Sequence, residues 1–283
     1  MANGIEGIDH LLIGARDLER SRAAYARLGF TLTPRGRHVG WSTGNYCVMF
    51  AKDYLELIGV VDPSQPARSI EARIAERGDG PIGLALATSD AEAAYRELAA
   101  AGLEPEPVRP LARALDLPEG TVMPRFNLVQ LGPAATPQVP MFLCQHLSPE
   151  LVRRPAWLRH PNTATGIASV TAVVGEPESV VGTCARLFGD GAVGRTDGVV
   201  SARVGSASIL FATPAEAAAL HPELDPDALA PPALVAASLR IEDANRARRH
   251  FDRAGVRYDS EDRASLVVGP EEACGLLLEF VAR

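Results

Sequence analysis

One spacing constrains this chain more than any other feature. From Asp17 to Gly29, Asp90 to Gly102, Pro177 to Gly189 and Asp243 to Gly255 the interval is the same twelve residues. An apolar, strand-like run precedes each interval, at residues 8–14, 82–88, 167–174 and 234–241. An acidic side chain at a helix start accepts backbone N–H bonds, and a glycine at its end takes the left-handed conformation that terminates it. Pro177 suits a first helical turn, where its missing N–H costs nothing. Each interval therefore reads as one βα unit, and the recurrence reads as an internal repeat.

Further strand-like runs follow each glycine. The first copy predicts strands at 30–34, 44–51 and 54–60, the third at 199–204 and 207–212, and the fourth at 256–259, 264–268 and 275–281. The second copy is harder to read. Its residues 103–137 are long and rich in proline, so they are read as an elaborated loop over one face, before an apolar strand at 139–144. The pattern is βαβββ, four times, in an α+β fold. At roughly 100–200 residues per domain, 283 residues predict about two domains. A strap, 147–164, joins them and carries Trp157 among prolines and arginines.

Composition removes several classes of function. Lys plus Arg total 28 against 35 for Asp plus Glu, a net charge of -7, with Lys52 the only lysine. The footprint of a general nucleic-acid binder is missing. No window approaches 18 consecutive apolar residues, the threshold for a spanning helix, so no membrane partner is expected and a cytoplasmic protein is. Cys47, Cys144, Cys184 and Cys274 are scattered without a CxxC pair, which argues against a structural zinc or a disulfide framework. No GxSxG, GxxxxGK[ST] or HExxH occurs, and Gly36, Gly40 and Gly44 do not make a GxGxxG turn.

Four such copies, with Asp9-His10-Leu11-Leu12-Ile13, then Arg16-Asp17-Leu18, then Leu28-Gly29-Phe30 in the first, resemble the vicinal oxygen chelate superfamily and, within it, the glyoxalase-like domain proteins. The resemblance implies modules paired side by side, one with two and three with four, which places the two domains at 1–146 and 165–283. They form two cup-shaped half-barrel sheets with helices outside and a metal or ligand on the concave face. It also implies metal ligands on the first and last strands of a module, where His10 and Glu56 stand. Both side chains interrupt apolar strands, and a metal taking both would resolve two costly burials.

The second module departs from that pattern. It has Gly83 in place of the histidine and no acid in its last strand, residues 141–146. Phe142, Cys144 and His146 share one face there, so His146 is the expected replacement ligand. His10, Glu56 and His146 would suit Fe(II), Mn(II), Zn(II) or Ni(II). Metal-free operation stays open, with Glu56 as a general base of raised pKa. Residues 35–47 form a rim in which His38 is a candidate acid or base, Asn45 an orienting donor and Trp41 a stacking wall. Tyr46, Phe50, Cys144 and Trp157 are further candidates for ligand contact.

The second pair of modules shows Ser169 or Val170, and Ala236 or Ala237, where histidines would stand, with Glu279 alone keeping a carboxylate. It is expected to be chemically silent, to support the first cup or a homodimer interface, and to leave His221 and His250 in solvent. The functional expectation is metal-assisted isomerase, lyase or dioxygenase chemistry on a small oxygen-rich molecule. The alternatives are a metal-free protein that sequesters a small molecule and a structural or regulatory protein with a filled cup.

Overall fold

Residues 2–66, 69–260 and 265–282 are described by a computed structural model. The first module is β1 (Gly7–Gly14), α1 (Leu18–Arg27), β2 (Gly36–His38), β3 (Thr43–Met49) and β4 (Tyr54–Val60). A linking helix, α2 (Ser69–Arg77), leads to β5 (Gly80–Ala87), α3 (Ala91–Ala100), β6 (Arg109–Leu117), β7 (Gly120–Val122), β8 (Arg125–Gln130) and β9 (Met141–His146). The third module is β10 (Ala164–Val173), α4 (Val181–Phe188), β11 (Val193–Thr196), β12 (Val199–Val204) and β13 (Ala207–Ala212). After α5 (Pro214–Leu220) come β14 (Ala233–Ile241), α6 (Ala244–Ala254), β15 (Ser265–Val268) and β16 (Leu277–Ala282). The fold is α+β; the first and third modules follow the βαβββ order, the second has four strands after its helix, and the fourth shows two after α6 among the described residues.

The helix ends form where the repeat places them. Asp17, Asp90 and Asp243 each accept from the backbone N–H three residues on, at 2.9 Å. Gly29 and Gly255 follow with φ of 82° and 62°, a region that L side chains rarely adopt. In the third copy a 3-10 turn, Pro177–Val180, precedes α4.

Several strands differ from expectation. The first strand after Gly29 is β2 rather than residues 30–34. In the fourth module the run at 256–259 is reduced to a single bridge, Asp259 to Val267, and Ala264 lies outside the described residues. The larger correction concerns residues 103–137, which hold β6, β7 and β8 instead of a loop. Pro105, Pro107, Pro110, Pro118 and Pro124 mask the strand signal. Pro110 is tolerated in β6 near its exposed start.

That correction decides the architecture. The first sheet runs β2-β3-β4-β1-β5-β9-β8-β6-β7, and β2 also pairs with β6, His38 opposite Arg113. The sheet therefore closes on itself as a barrel. The second sheet, β11-β12-β13-β10-β14-β16-β15, stays open. In each sheet the two modules meet through antiparallel first strands, β1 with β5 and β10 with β14.

Strand alternation then sorts side chains into two layers. Leu11, Ile13, Leu55, Leu57, Leu84 and Leu86 point out of the barrel into a core that continues through Val170, Ala172, Leu239 and Phe280 of the second sheet. Phe30 stacks on Phe280 at 5.9 Å across that junction. The opposite face of the second sheet is filled by Ala217, Leu224, Val235 and Leu277. His221 is buried there, its Nε2 2.9 Å from Thr171 Oγ1, instead of lying in solvent. His250 reaches Arg27 O at 3.1 Å. The connecting strap runs over the first barrel, where Trp157 and Leu158 pack on Cys47, Met49, Tyr54 and Val152.

Candidate functional site

The barrel interior holds a cavity of about 660 Å3. Leu12, Ile58, Ile82, Leu111, Phe126 and Leu128 form apolar walls, and His10, His38, Asn45, Glu56 and Arg113 gather at its polar end. The register explains the gathering. β1 and β4 run parallel with His10 opposite Tyr54 and Leu12 opposite Glu56, so His10, Tyr54, Glu56 and Ile58 share the inner face. β3 lies antiparallel on β4 with Asn45 opposite Ile58 and Cys47 opposite Glu56. Closure of β2 on β6 adds His38 and Arg113 from the far side.

A bulge in β1 adds a residue that pattern reading missed. Ile8 pairs with Leu86 and His10 with Ala85, leaving Asp9 as an extra residue on the β1 side. The carboxylate of Asp9 consequently sits beside its own neighbour, accepting from His10 Nδ1 at 2.6 Å. His10 Nε2 lies 3.3 Å from Glu56 Oε2, and the Tyr54 ring stacks on the imidazole at 4.4 Å. Asn45 Nδ2 donates to Glu56 Oε1 at 2.5 Å. His38 Nε2 is 3.8 Å from the same oxygen, and its Nδ1 meets Thr43 Oγ1 at 2.9 Å.

The electrostatics follow from these contacts. Burial disfavours the charged form of His10, but hydrogen bonds to Asp9 and Glu56 outweigh it and raise its pKa to about 9. Burial pushes Glu56 up, yet the His10 bond, the charges of His10 and His38 and the Asn45 amide hold it at about 2. Asp9 is treated the same way by His146 and His10 and lies well below the ordinary carboxylate range. Without a metal, His10 is thus an imidazolium between two carboxylates. Glu56 is ionised, opposite to the raised pKa expected of a general base.

The remaining candidates are placed as follows. Trp41 and Cys144 line the cavity. His146 turns to Asp9, Nε2 to Oδ2 at 3.1 Å, so Asp9 stands between the two histidines. Asp9, Cys144 and His146 have potential ligand atoms within 4.8 Å of one another. Tyr46 is on the outer face of β3, in the core beneath α1, with its hydroxyl 2.7 Å from Glu19. Its parity opposes that of Asn45. Phe50 is also in that core, and Trp157 packs on the strap side of Tyr54 rather than on the cavity. Arg113 was hidden in the proline-rich stretch, although the alternation Arg109, Leu111, Arg113, Leu115 marks one face.

The second module supplies neither member of a matching ligand pair. Gly83 precedes Asp90 by seven residues, as His10 precedes Asp17, and the pairing of Ala85 with Phe142 repeats that of Leu12 with Glu56. Phe142 thus stands where a second carboxylate would, its ring edge-on to His10 at 5.6 Å.

Paired βαβββ modules around a His and Glu pair define a glyoxalase-like protein with the vicinal oxygen chelate fold. Residues 8–188 match the glyoxalase-like domain family, and the chain belongs to that family. Among solved structures it is similar to a hypothetical protein from Staphylococcus aureus, at 12% identity and a TM-score of 0.69, covering 98% of this chain and 99% of the other. It is also similar to a triple mutant of 4-hydroxymandelate synthase from Streptomyces coelicolor, at 11% identity and a TM-score of 0.57, covering 99% and 93%. A fusion of a xylose isomerase-like TIM barrel with 4-hydroxyphenylpyruvate dioxygenase matches at 14% identity and a TM-score of 0.55, over 100% of this chain and 49% of the other. These likenesses share the fold. No curated protein matches the sequence.

Proposed function

We propose that the first barrel is the active site of a metal-assisted enzyme acting on a small oxygen-rich molecule, by isomerase, lyase or dioxygenase chemistry. The observation that carries this reading is the approach of His10 Nε2 to Glu56 Oε2 at 3.3 Å, with His10 Nδ1 anchored on Asp9. A ligating histidine typically donates its other ring N–H to a carboxylate, which sets the tautomer and ring direction. The donor set therefore suits a divalent cation held by His10 and Glu56. Asp9, Cys144 and His146 fit a metal less well. Asp9 is already spent on two imidazoles, and burial beside Asp9 and Glu56 holds the Cys144 thiol well above its ordinary pKa.

When bound, such a cation polarises substrate oxygens and stabilises developing negative charge. The chain's own groups do the rest. Asn45 holds one oxygen of Glu56, leaving the other directed at His10. His38 is the group suited to move a proton. Thr43 Oγ1 can donate to its Nδ1 or accept from it, so either tautomer is supported, and Nε2 lies beside Glu56, where a proton can be given or taken.

A second reading, a metal-free protein that holds an apolar ligand, is favoured by Gly83 and Phe142, which leave half of the family's ligand positions without donors. One experiment separates the two. Purified protein, loaded with excess Fe(II), Mn(II), Zn(II) or Ni(II) and desalted, is expected to retain one metal per chain. His10→Ala and Glu56→Ala are expected to lose it. Wild-type protein that keeps no stoichiometric metal would refute the metal-assisted reading.

A further inference from the structure

Arg113 is the one large cation of the cavity sealed from solvent, at 3% exposure, and no carboxylate is ion-paired with it among the described residues. Its Nη1 donates to Cys47 Sγ at 2.9 Å, and the guanidinium carbon lies 5.9 Å from the centre of the Phe126 ring. The Nε atom is buried without a partner, and among the described residues the one hydrogen bond of the guanidinium is that from Nη1 to Cys47. Burial pushes the Cys47 thiol up to about 11, so the sulfur is a neutral neighbour and not a counter-ion. Glu56 acts on Arg113 through space only and is itself engaged by His10 and Asn45. An unpaired buried charge is expensive, and proteins rarely retain one without a partner.

The unused atoms are not scattered. Nε and Nη2 form one edge of the guanidinium, the two parallel donors that meet both oxygens of a carboxylate. Backbone design keeps this edge close to the site. A Cβ on Gly36 would come within 2.6 Å of Arg113 Cδ and 2.4 Å of Asn45 Oδ1, so only glycine admits both side chains. Elsewhere in the lining, Arg109 is neutralised by Glu106 at 3.1 Å, while half-buried Arg73 binds the carbonyl of Ile82 and is not ion-paired among the described residues. The cavity thus sets the open edge of Arg113 at its polar end, with hydrocarbon walls beyond it.

We infer that the ligand of the first barrel is a carboxylate with an apolar body, its carboxylate held on the Nε and Nη2 edge of Arg113. This deepens the reading of the barrel as a small-molecule site and rests on it for the place of binding, not for the metal.

The test uses the full chain after chelator treatment, so that a carboxylate cannot owe its binding to a metal. Phenylacetate, phenylbutyrate and naphthylacetate are titrated calorimetrically beside their uncharged primary amides. At least one acid is expected to bind at least tenfold more tightly than its amide. Arg113→Gln is expected to abolish that preference, and Arg113→Lys to restore part of it while answering any loss of folding in the Gln variant. Equal binding of acid and amide, an unchanged preference in Arg113→Gln, or no binding of any acid would overturn the inference, leaving Arg113 a structural cation satisfied by water. Because no metal is present, these outcomes are independent of the metal-retention experiment.

Discussion

Replacing Asp9 with Asn tests the charge network at its least expected member. The carboxylate, 2% exposed, accepts from His10 Nδ1 at 2.6 Å and meets His146 Nε2 at 3.1 Å, with the Arg153 guanidinium at 3.8 Å. An amide of the same shape offers a single accepting oxygen and presents an N–H where the other imidazole needs an acceptor. Removing one partner of a buried pair costs about 3 kcal/mol. At roughly 2–4 °C per kcal/mol, the melting midpoint should fall by roughly 6–12 °C.

The effect should also depend on pH. The folded-state pKa of His10, about 9, exceeds its ordinary 6.5, so its stabilising contribution is complete below pH 6.5 and is lost as pH rises through 9. Wild type and variant should therefore differ most near pH 6 and converge above pH 9. Thermal melts followed by circular dichroism on chelator-treated protein, at either end of that window, measure both quantities. Unchanged melting near pH 6, or a difference of the same size in alkali, would refute the argument. In metal-loaded protein the same variant should weaken retention by about 10–100-fold, because the ring orientation is lost.

Other expectations follow from the same geometry. On the acid side, the folded pKa of Glu56, about 2 against 4.5, means that its contribution is present above pH 4.5 and disappears as pH falls towards 2, which acid titration of the melting midpoint should show. His160 accepts from the Thr31 N–H and donates to Met49 O, both at 3.0 Å, so His160→Ala should loosen the strap and cost about 2 kcal/mol in denaturant titration, with native-like secondary structure. Gly36→Ala should leave the fold standing but displace Arg113 and Asn45, weakening ligand binding far more than stability when both are measured. Gly83→His combined with Phe142→Glu restores the second module's donors and should slow metal loss to a competing chelator relative to wild type. Tyr46→Phe, on the outer face, should leave ligand affinity unchanged in calorimetry.

How much of this was legible in the sequence follows from the range of the interactions. Helix caps are local, so Asp17, Asp90 and Asp243 with their glycines announced the modules, and the modules announced the family. His10 and Glu56 were legible because an ionisable group inside an apolar strand demands a partner. Asp9 carried the same signal one residue earlier, but its direction depends on a bulge set by β5. Strand parity is a further limit. Asn45 and Tyr46 are adjacent and equally plausible as site residues, and only the register of β3 on β4 sends one inward and the other beneath α1.

The sequence by itself thus determined the recurring βα units and one His and Glu pair, with the pairing of the modules an implication of the family resemblance. Tertiary structure decided the rest: β2 closing on β6, the enclosed cavity, His38 beside Arg113, and a second sheet filled by Leu224 and its neighbours. Caps and alternation act within a few residues of chain. Barrel closure depends on pairing between strands 75 to 79 residues apart, His38 with Arg113 and Gly36 with Leu115, which no local pattern encodes.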